Sequence, residues 1–535
     1  MTSNYYVMLF SSLIVLALPA AGAQISDTIS NSFLQCLHKN SLRSNPISQA
    51  IYTPRNTSYI NVLDIYARNL RFMTPQTAKP LAIIAAMHES HVRAVIMCSN
   101  QTNVLLRIRC GGHDYEALSY TANVPFVILD MFNLRSININ LEDETAWVEG
   151  GVLLGELYYW IAEKSSTRAF PAGICPTVGV SGHFSGGGYG NLVRKYGLSV
   201  DNILDAKIMG LDGIVKDRKD MGEDLFWAIR GGGGASFGVV LAWKLKLVEV
   251  PETVTVLTVN RTLEQGAVDI VYEWQSVVTI LPDDIFLRLE LWPTDGFPKT
   301  MKATFIGMFL GRTESLLEIM NKQFPKLGLT QNDCTEMKWI ESVLYWDAIP
   351  QGTKPEVLLD REWHKKTYLK SKSDFVKKSV SKQGLQHIFD KIIQVGDIIM
   401  QWNPYGGRMN IISESAVPLP HRAGYLFKIQ YLSYWTQNEN GNANQKIQIA
   451  RQFYEFMAPY VTNSPREAFF NYRDLDIGQN PYCNASYAQA KAYGVRYFKG
   501  NFERLVKIKN AVDPTNFFRN EQSIPTTPSR RPIAT

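Results

Sequence analysis

The chain has 535 residues, with 55 Lys and Arg against 49 Asp and Glu, a formal net charge of +6 and 45% hydrophobic residues. That balance excludes a disordered, collagenous or small disulfide-stapled protein, and at roughly 100 to 200 residues per domain it implies two to four domains or large lobes. So mild a surplus of positive charge does not call for nucleic acid; the expected partner is a small-molecule substrate.

In chain order, residues 7–18 (VMLFSSLIVLAL) form an apolar run followed by Pro19 and the small residues Ala21, Gly22 and Ala23. This reads as a cleaved signal peptide over 1–23, with a hydrophobic core helix as the alternative. Sequons at Asn56, Asn100, Asn260 and Asn484 agree with a glycoprotein of the secretory pathway, bound for the extracellular space (apoplast) or the vacuole. No stretch reaches about 18 uninterrupted apolar residues, so no membrane span is expected, and a monomer is anticipated. In an oxidising compartment the six cysteines can pair, with a connectivity the sequence leaves open. His88 and His91 lie one residue too close for the i,i+4 spacing of a zinc-binding helix. They read as a helix surface, and no metal site is expected.

Residues 79–97 (KPLAIIAAMHESHVRAVIM) pass from a strand-like apolar run to helical periodicity, and 104–109 alternate as a strand. Further strands are predicted at 126–130 and 146–150 and a helix at 154–164, which makes an α+β lobe. From about residue 253 new alternations begin at 253–259 and 285–291, followed by charged, helical material at 314–323 and 374–381. Near Asn471 the texture turns to Tyr-rich helix. The organisation predicted is a first lobe at 24–252, an inserted lobe at 253–468, and a return to the first lobe at 469–535.

Of the 37 glycines, 21 lie between Gly111 and Gly238. They gather in the loops 109–114 (RCGGHD), 179–190 (GVSGHFSGGGYG) and 230–238 (RGGGGASFG), each at the end of an apolar run. Missing side chains let backbone N–H groups approach an anion, which suits a pyrophosphate. Tight turns between strands are the other reading. The Gly-Lys-Ser/Thr ending of a Walker loop is absent, and so is the βαβ context of a nicotinamide fingerprint. A large phosphate-bearing cofactor fits the three loops together. From the residues alone, His113 is either a turn residue or a functional group, and Cys175 either a buried thiol or a reactive one.

The runs 107–120 (RIRCGGHDYEALSY), 170–183 (FPAGICPTVGVSGH) and 516–525 (NFFRNEQSIP) resemble the plant berberine-bridge-enzyme-like family of secreted flavoproteins, and the likeness covers essentially the whole mature chain. The resemblance implies the vanillyl-alcohol-oxidase flavin fold. In it a two-lobed α+β FAD-binding domain, here 24–252 plus 469–535, is interrupted by an α+β substrate-binding domain with an antiparallel sheet, here 253–468. It implies FAD held by two covalent bonds, His113 to the flavin 8α-methyl carbon and Cys175 to ring carbon C6. Arg109, Cys110, Gly111, Gly112, Asp114, Val178, Gly179, Ser181, Gly182, His183 and Gly187 would surround the cofactor. Cys36 and Cys98 match the family's disulfide. Cys110 departs from the serine usual beside the flavin histidine, and a thiol is the weaker donor, so a pyrophosphate contact there is weakened.

Tyr115, Tyr189, Lys428, Gln430 and Tyr472 match positions on the flavin's substrate side in members that oxidise allylic and phenolic alcohols. Alternation in 427–431 (FKIQY) puts Lys428 and Gln430 on one strand face. An ammonium beside a tyrosine favours tyrosinate, so Lys428 next to Tyr472 or Tyr189 would make a base; the other reading is that the tyrosines are amphipathic wall residues. Alkaloid-cyclising members carry glutamate at the position of Gln430, so berberine-bridge formation is disfavoured. Val178 matches the family's oxygen gate, where valine admits O2. The expectation is a bicovalent FAD-dependent oxidase acting on an alcohol or phenolic plant secondary metabolite, with hydride passing to flavin N5 and O2 giving H2O2. A carbohydrate oxidase working at an anomeric hydroxyl and a flavin-containing non-redox cyclase are the alternatives.

Overall fold

The structure is a computed structural model that describes residues 28–294, 299–363, 366–480 and 486–527. The leader expected at 1–23, the sequon at Asn484 and Cys483 lie outside the described residues. Branched apolar runs form a four-stranded sheet in the order Ile51–Tyr52, Ile83–Ala85, Phe126–Asp130, Leu105–Arg109, the last three parallel. Its two faces bury different neighbours. Ile84, Leu106, Val127 and Leu129 pack with Val92, Val95 and Ile96 of the helix Glu89–Thr102, whereas Ile83, Leu105, Phe126 and Ile128 pack with Tyr59 and Leu63 of the helix Tyr59–Ile65. Coverage of both faces is why Ile83–Ala85 and residues 126–129 are hydrophobic throughout rather than alternating, while Leu105–Arg109 carries two arginines. A disulfide joins Cys36 to Cys98 of the Glu89–Thr102 helix.

A five-stranded antiparallel sheet follows, in the order Ile137–Asn140, Thr145–Glu149, Val239–Lys246, Ile203–Met209, Val215–Lys216. The third sheet has seven antiparallel strands, ordered Cys334–Met337, Val254–Thr262, Met301–Phe309, Ile285–Pro293, Ile399–Pro404, Phe427–Trp435, Tyr368–Val376. Here the period of two is strict. Ile285, Leu287, Leu289, Leu291, Met400, Trp402, Phe427, Ile429 and Tyr431 pack in one core with the helices Ala267–Val277, Lys382–Val395 and Ala443–Phe456. Each such side chain contributes about 1.5–3 kcal/mol by leaving water. The intervening residues, Arg288, Gln401, Lys428 and Gln430 among them, turn to the other face. A one-residue slip would exchange the faces, so the apolar side determines where the polar set points.

Two expectations need correction. Residues 374–381 are not helical: Asp374 belongs to the strand Tyr368–Val376, and Ser381 caps the helix Lys382–Val395 by accepting a hydrogen bond from Gly384 N at 3.1 Å. The charges at 370, 372 and 374 mark one face of an edge strand that is buried in ion pairs instead of solvated. Lys370 Nζ lies 2.5 Å from Glu116 and 2.7 Å from Asp474, Lys372 Nζ lies 2.5 Å from Asp474, and Asp374 is 2.7 Å from Arg466. His91 is not on a helix surface either. It is buried, its Nε2 lies 3.1 Å from the Asn45 carbonyl, and Met87 N donates to its Nδ1.

Removing one member of a buried ion cluster strands the others. Asp474→Asn is therefore expected to cost about 3 kcal/mol of stability, read as a fall in the urea midpoint. Combining it with Lys370→Met and Lys372→Met recovers part of the loss.

Candidate active site

The glycine loops and the polar face of the seven-stranded sheet enclose a cavity of about 610 Å³. Cys110, Gly111, Gly112, His113, Asp114 and Tyr115 reach it from the first loop, and Cys175, Val178, Gly179, Ser181, Gly182, His183 and Tyr189 from the second stretch. Gln430 and Tyr472 close the opposite side. Most of the residues singled out in the sequence thus share one space.

Three do not line it. Arg109 is fully buried, donating to Asp130 Oδ2 at 2.6 Å and to the carbonyls of Leu63 and Val62. It is a strut beneath the loop, not a phosphate ligand. A side chain at Gly187 would strike Leu419, so its glycine answers to packing. Lys428 stands behind the wall, reaching the cavity only through Tyr472.

The glycines divide in the same way. A Cβ at Gly111 would come 2.5 Å from Gly179 N, and one at Gly179 would come 2.2 Å from Cys110 Sγ. These residues let two loops cross backbone against backbone. Gly182 differs, because a Cβ there meets nothing within 4 Å and points into the open cavity. Ser119 Oγ, buried on the cavity wall, has no hydrogen-bond partner among the described residues. A long cavity with an orphaned hydroxyl and a glycine-lined wall fits FAD.

Around the predicted anchors, His113 Nε2 lies 2.9 Å from Thr177 Oγ1. Burial pushes the Cys175 thiol up to about 12, so it carries its proton at neutral pH. Cys110 is likewise pushed up to about 12 by burial, and its Sγ sits 3.7 Å from the Val152 carbonyl. His183 is held down near 3 by burial and then by Lys428, which keeps it neutral as an acceptor for Gly173 N at 2.9 Å.

The catalytic candidates form two pairs. Lys428 Nζ and Tyr472 Oη share a hydrogen bond of 2.8 Å, and Gln430 Nε2 donates to Tyr115 Oη at 2.8 Å. The rings of Tyr472 and Tyr115 meet edge to face at 6.0 Å. Tyr189 does not join them, because its hydroxyl is spent on the Pro404 carbonyl, so it is no base. Its ring serves instead. Lys428 Nζ lies 4.0 Å from the Tyr472 ring centroid, 4.1 Å from Tyr189 and 4.6 Å from Phe469, a cation–π cage.

Charge behaves differently from the expectation that an ammonium simply lowers a tyrosine's pKa. Burial pushes Tyr472 well above the usual phenol range and pushes Lys428 well below the usual amine range, with Arg288 adding to the latter. Desolvation outweighs the pair's attraction when no carboxylate compensates. Tyr115, pushed up to about 12 by burial, keeps its proton.

One short segment ties the halves together. Asn471 donates to the carbonyls of Gly182 and His183 and accepts from Gly188 N. Arg473 pairs with Asp114 at 3.0 Å, beside His113. Asp474 bonds Lys370 and Lys372. Sequence reading missed Asn471, Arg473, Thr177 and Arg288 as site residues. The signals were present: the motif NYRDLD for the first two, and lone charges in the otherwise apolar IFLRLEL for Arg288.

The chain matches the family models described as FAD binding domain over residues 80–217 and as berberine and berberine like over 468–525. It is 52% identical over 510 residues to berberine bridge enzyme-like 8 of Arabidopsis thaliana, covering 94% of this chain and 96% of that one. The structure of BBE-like 28 from Arabidopsis thaliana superposes with a TM-score of 0.87 at 43% identity, over 93% of this chain and 99% of the other. A grass pollen allergen with glucose dehydrogenase activity superposes at 0.88 with 42% identity, over 92% and 99%, and its isoleucine-to-valine variant is described as a glucose oxidase. Fold and site together define an FAD-linked oxidoreductase of α+β architecture. The chain belongs to the berberine-bridge-enzyme-like family.

The glycine analysis separates packing from ligand space. Gly182→Ala is expected to lower the FAD content of purified protein, read from the 450/280 nm absorbance ratio, without lowering the melting temperature of the flavin-depleted chain. Gly111→Ala lowers that melting temperature.

Proposed function

We propose that the protein is a secreted oxidase, with FAD attached through both His113 and Cys175, that dehydrogenates an alcohol or phenolic plant metabolite. The observation that carries this reading is the Lys428–Tyr472 pair, joined at 2.8 Å and facing the cavity wall that holds His113 and Cys175. When bound, FAD supplies a two-electron acceptor that takes hydride at N5 and returns the electrons to O2 as H2O2.

The chain's own residues handle the proton. Tyr472 Oη takes it from the substrate hydroxyl while its own proton moves to Lys428 Nζ, where the rings of Tyr189 and Phe469 stabilise the resulting ammonium. Tyr115, still protonated and oriented by Gln430, donates to the substrate oxygen and orients it. Gln430 cannot accept a proton as a carboxylate would, which weighs against alkaloid cyclisation. Val178 on the cavity wall supports O2 as acceptor through its match to the family's oxygen gate; the pollen allergen has glucose dehydrogenase activity and an isoleucine-to-valine variant of it is a glucose oxidase. That allergen's glucose dehydrogenase activity favours a second reading, a carbohydrate oxidase acting at an anomeric hydroxyl with the same pair as base. Extracellular or vacuolar delivery rests on the apolar leader and the sequons.

If both anchors form, the flavin stays with the protein after acid precipitation, and only the combined His113→Ala and Cys175→Ala variant releases it; free flavin from the wild type would sink the anchor assignment. Tyr472→Phe is expected to lower kcat by about 10² to 10⁴-fold, followed as H2O2 release on a panel of cinnamyl alcohols, phenols and sugars. Lys428→Met leaves Tyr472 buried without its proton acceptor. The rising limb of the kcat/KM profile then moves to higher pH, and a shift to lower pH would contradict the paired base.

A further inference from the structure

His113 and Cys175 both line the cavity, and one short turn reaches both. Cys175, Pro176, Thr177 and Val178 form a β-turn closed by Val178 N, which donates to the Cys175 carbonyl at 3.2 Å. Proline sits at its second position, where a fixed φ suits such turns. The turn is pinned from outside. Leu154 N donates to the Val178 carbonyl at 2.9 Å and Gly155 N to the Pro176 carbonyl at 2.8 Å, so the first amides of the helix Leu154–Lys164, which have no acceptor within the helix, hold it in place. From this turn Thr177 reaches back 64 positions in sequence, its Oγ1 lying 2.9 Å from His113 Nε2.

The loop that carries His113 is held as firmly. A Cβ at Gly111 would come 2.7 Å from the Thr177 carbonyl oxygen, and one at Gly112, whose φ is +69°, would come 1.5 Å from that of Tyr66. With its backbone wedged in this way, the imidazole ring is what remains adjustable. Thr177 is 1% exposed and stands behind the cavity wall, so its hydroxyl touches the ring and not the cofactor space. Its branched Cβ restricts the rotation that would swing the hydroxyl away.

A hydroxyl suits this ring for a chemical reason. A neutral imidazole has one N–H and one lone pair. With Nε2–H donating to Thr177 Oγ1, the lone pair that can bond to carbon is on Nδ1. Once Nδ1 is bonded, Nε2 gives up its proton to leave the ring neutral, and it then needs a donor. A hydroxyl accepts in the first state and donates in the second without moving, whereas a carbonyl or an amide N–H serves only one of them.

We propose that Thr177 is the positioning residue for attachment of FAD through His113, accepting from Nε2–H before the bond forms and donating to Nε2 afterwards, a role that rests on the reading of His113 as a flavin anchor. The step balances with O2 as the oxidant. A C–H bond of the 8α-methyl group breaks and the bond from Nδ1 to that carbon forms. One proton leaves the methyl carbon and one leaves the imidazole, and the two electrons end on O2, which takes both protons as H2O2. Because Thr177 and Cys175 share a turn, the same hydroxyl aligns the ring with the second anchor.

The test uses the Cys175→Ala variant, whose flavin is held covalently only through His113, produced under riboflavin limitation and then given FAD in air. Flavin that stays with the protein after acid precipitation is followed against time, beside the 450/280 nm absorbance ratio before acid, which counts all bound flavin. With Thr177 in place, acid-stable flavin is expected to accumulate. Thr177→Val, of the same shape, is expected to slow this about tenfold or more while the absorbance ratio stays that of the parent, and Thr177→Ser is expected to restore it. A valine variant that attaches flavin at the parent's rate overturns the positioning role, and so does a serine variant as slow as valine. Loss of bound flavin before acid as well as after it marks a merely structural effect and overturns the role too. If the valine variant does not accumulate as soluble protein, Thr177→Ala is measured in its place against the same outcomes. Acid release of all flavin from the Cys175→Ala parent overturns the His113 anchor itself, and the role of Thr177 falls with it; retention in the parent and in the valine variant alike leaves the anchor standing and removes only Thr177.

Discussion

The site depends on one stretch of backbone, residues 471–474. Four consecutive side chains reach both glycine loops and two adjacent strands of the large sheet: Asn471 holds the carbonyls of the second glycine loop, Tyr472 meets Lys428, Arg473 pairs with Asp114 beside His113, and Asp474 grips Lys370 and Lys372 of the edge strand. Buried ion pairs contribute modestly to net stability because their desolvation offsets their attraction. Their geometry is demanding, however, and a charge without its partner costs several kcal/mol. The segment therefore has one satisfied position, and that position aims Tyr472 at the cavity. Stability of the junction between the glycine loops and the seven-stranded sheet is thereby coupled to placement of the Tyr472 hydroxyl.

Burial also decides the chemistry of the pair. An exposed lysine beside a tyrosine would act as a fixed positive charge. Lys428, enclosed by three aromatic rings and repelled by Arg288, is instead pushed well below the usual amine range by burial, and Tyr472 is pushed well above the usual phenol range. In the oxidation proposed above, this pair is the acceptor for the one proton that the loss of hydride leaves behind. The aromatic cage matters at that moment, since it stabilises the ammonium without a counter-ion that would pull the proton away permanently.

Much of this was legible in the residues. Strict alternation in 285–291 and 427–431 is a local consequence of one face packing on helices, so strand identity and the shared face of Lys428 and Gln430 followed directly. The glycine-dense loops announced close backbone approach. Alternation could not say what covers the polar face of an edge strand, and so residues 374–381 read as charged helix, although Asp374 ends a strand whose Lys370 and Lys372 are buried against Asp474, over a hundred positions away in the chain. Glycine count likewise could not distinguish Gly111 and Gly179, which let two loops cross, from Gly182, which opens onto the ligand space.

The sequence by itself determined most of the strands and helices, the family, and the residue types available for flavin chemistry, because these follow from periodicity and from motifs contained in short runs. Only the tertiary structure decided which of those residues act together. It assigned Arg109 and Tyr189 to structural bonds, singled out Tyr472 as the hydroxyl that meets Lys428, and reversed the expected direction of the tyrosine's shift. Those outcomes depend on burial and on partners distant in sequence, and desolvation exists only once the surrounding chain has excluded water.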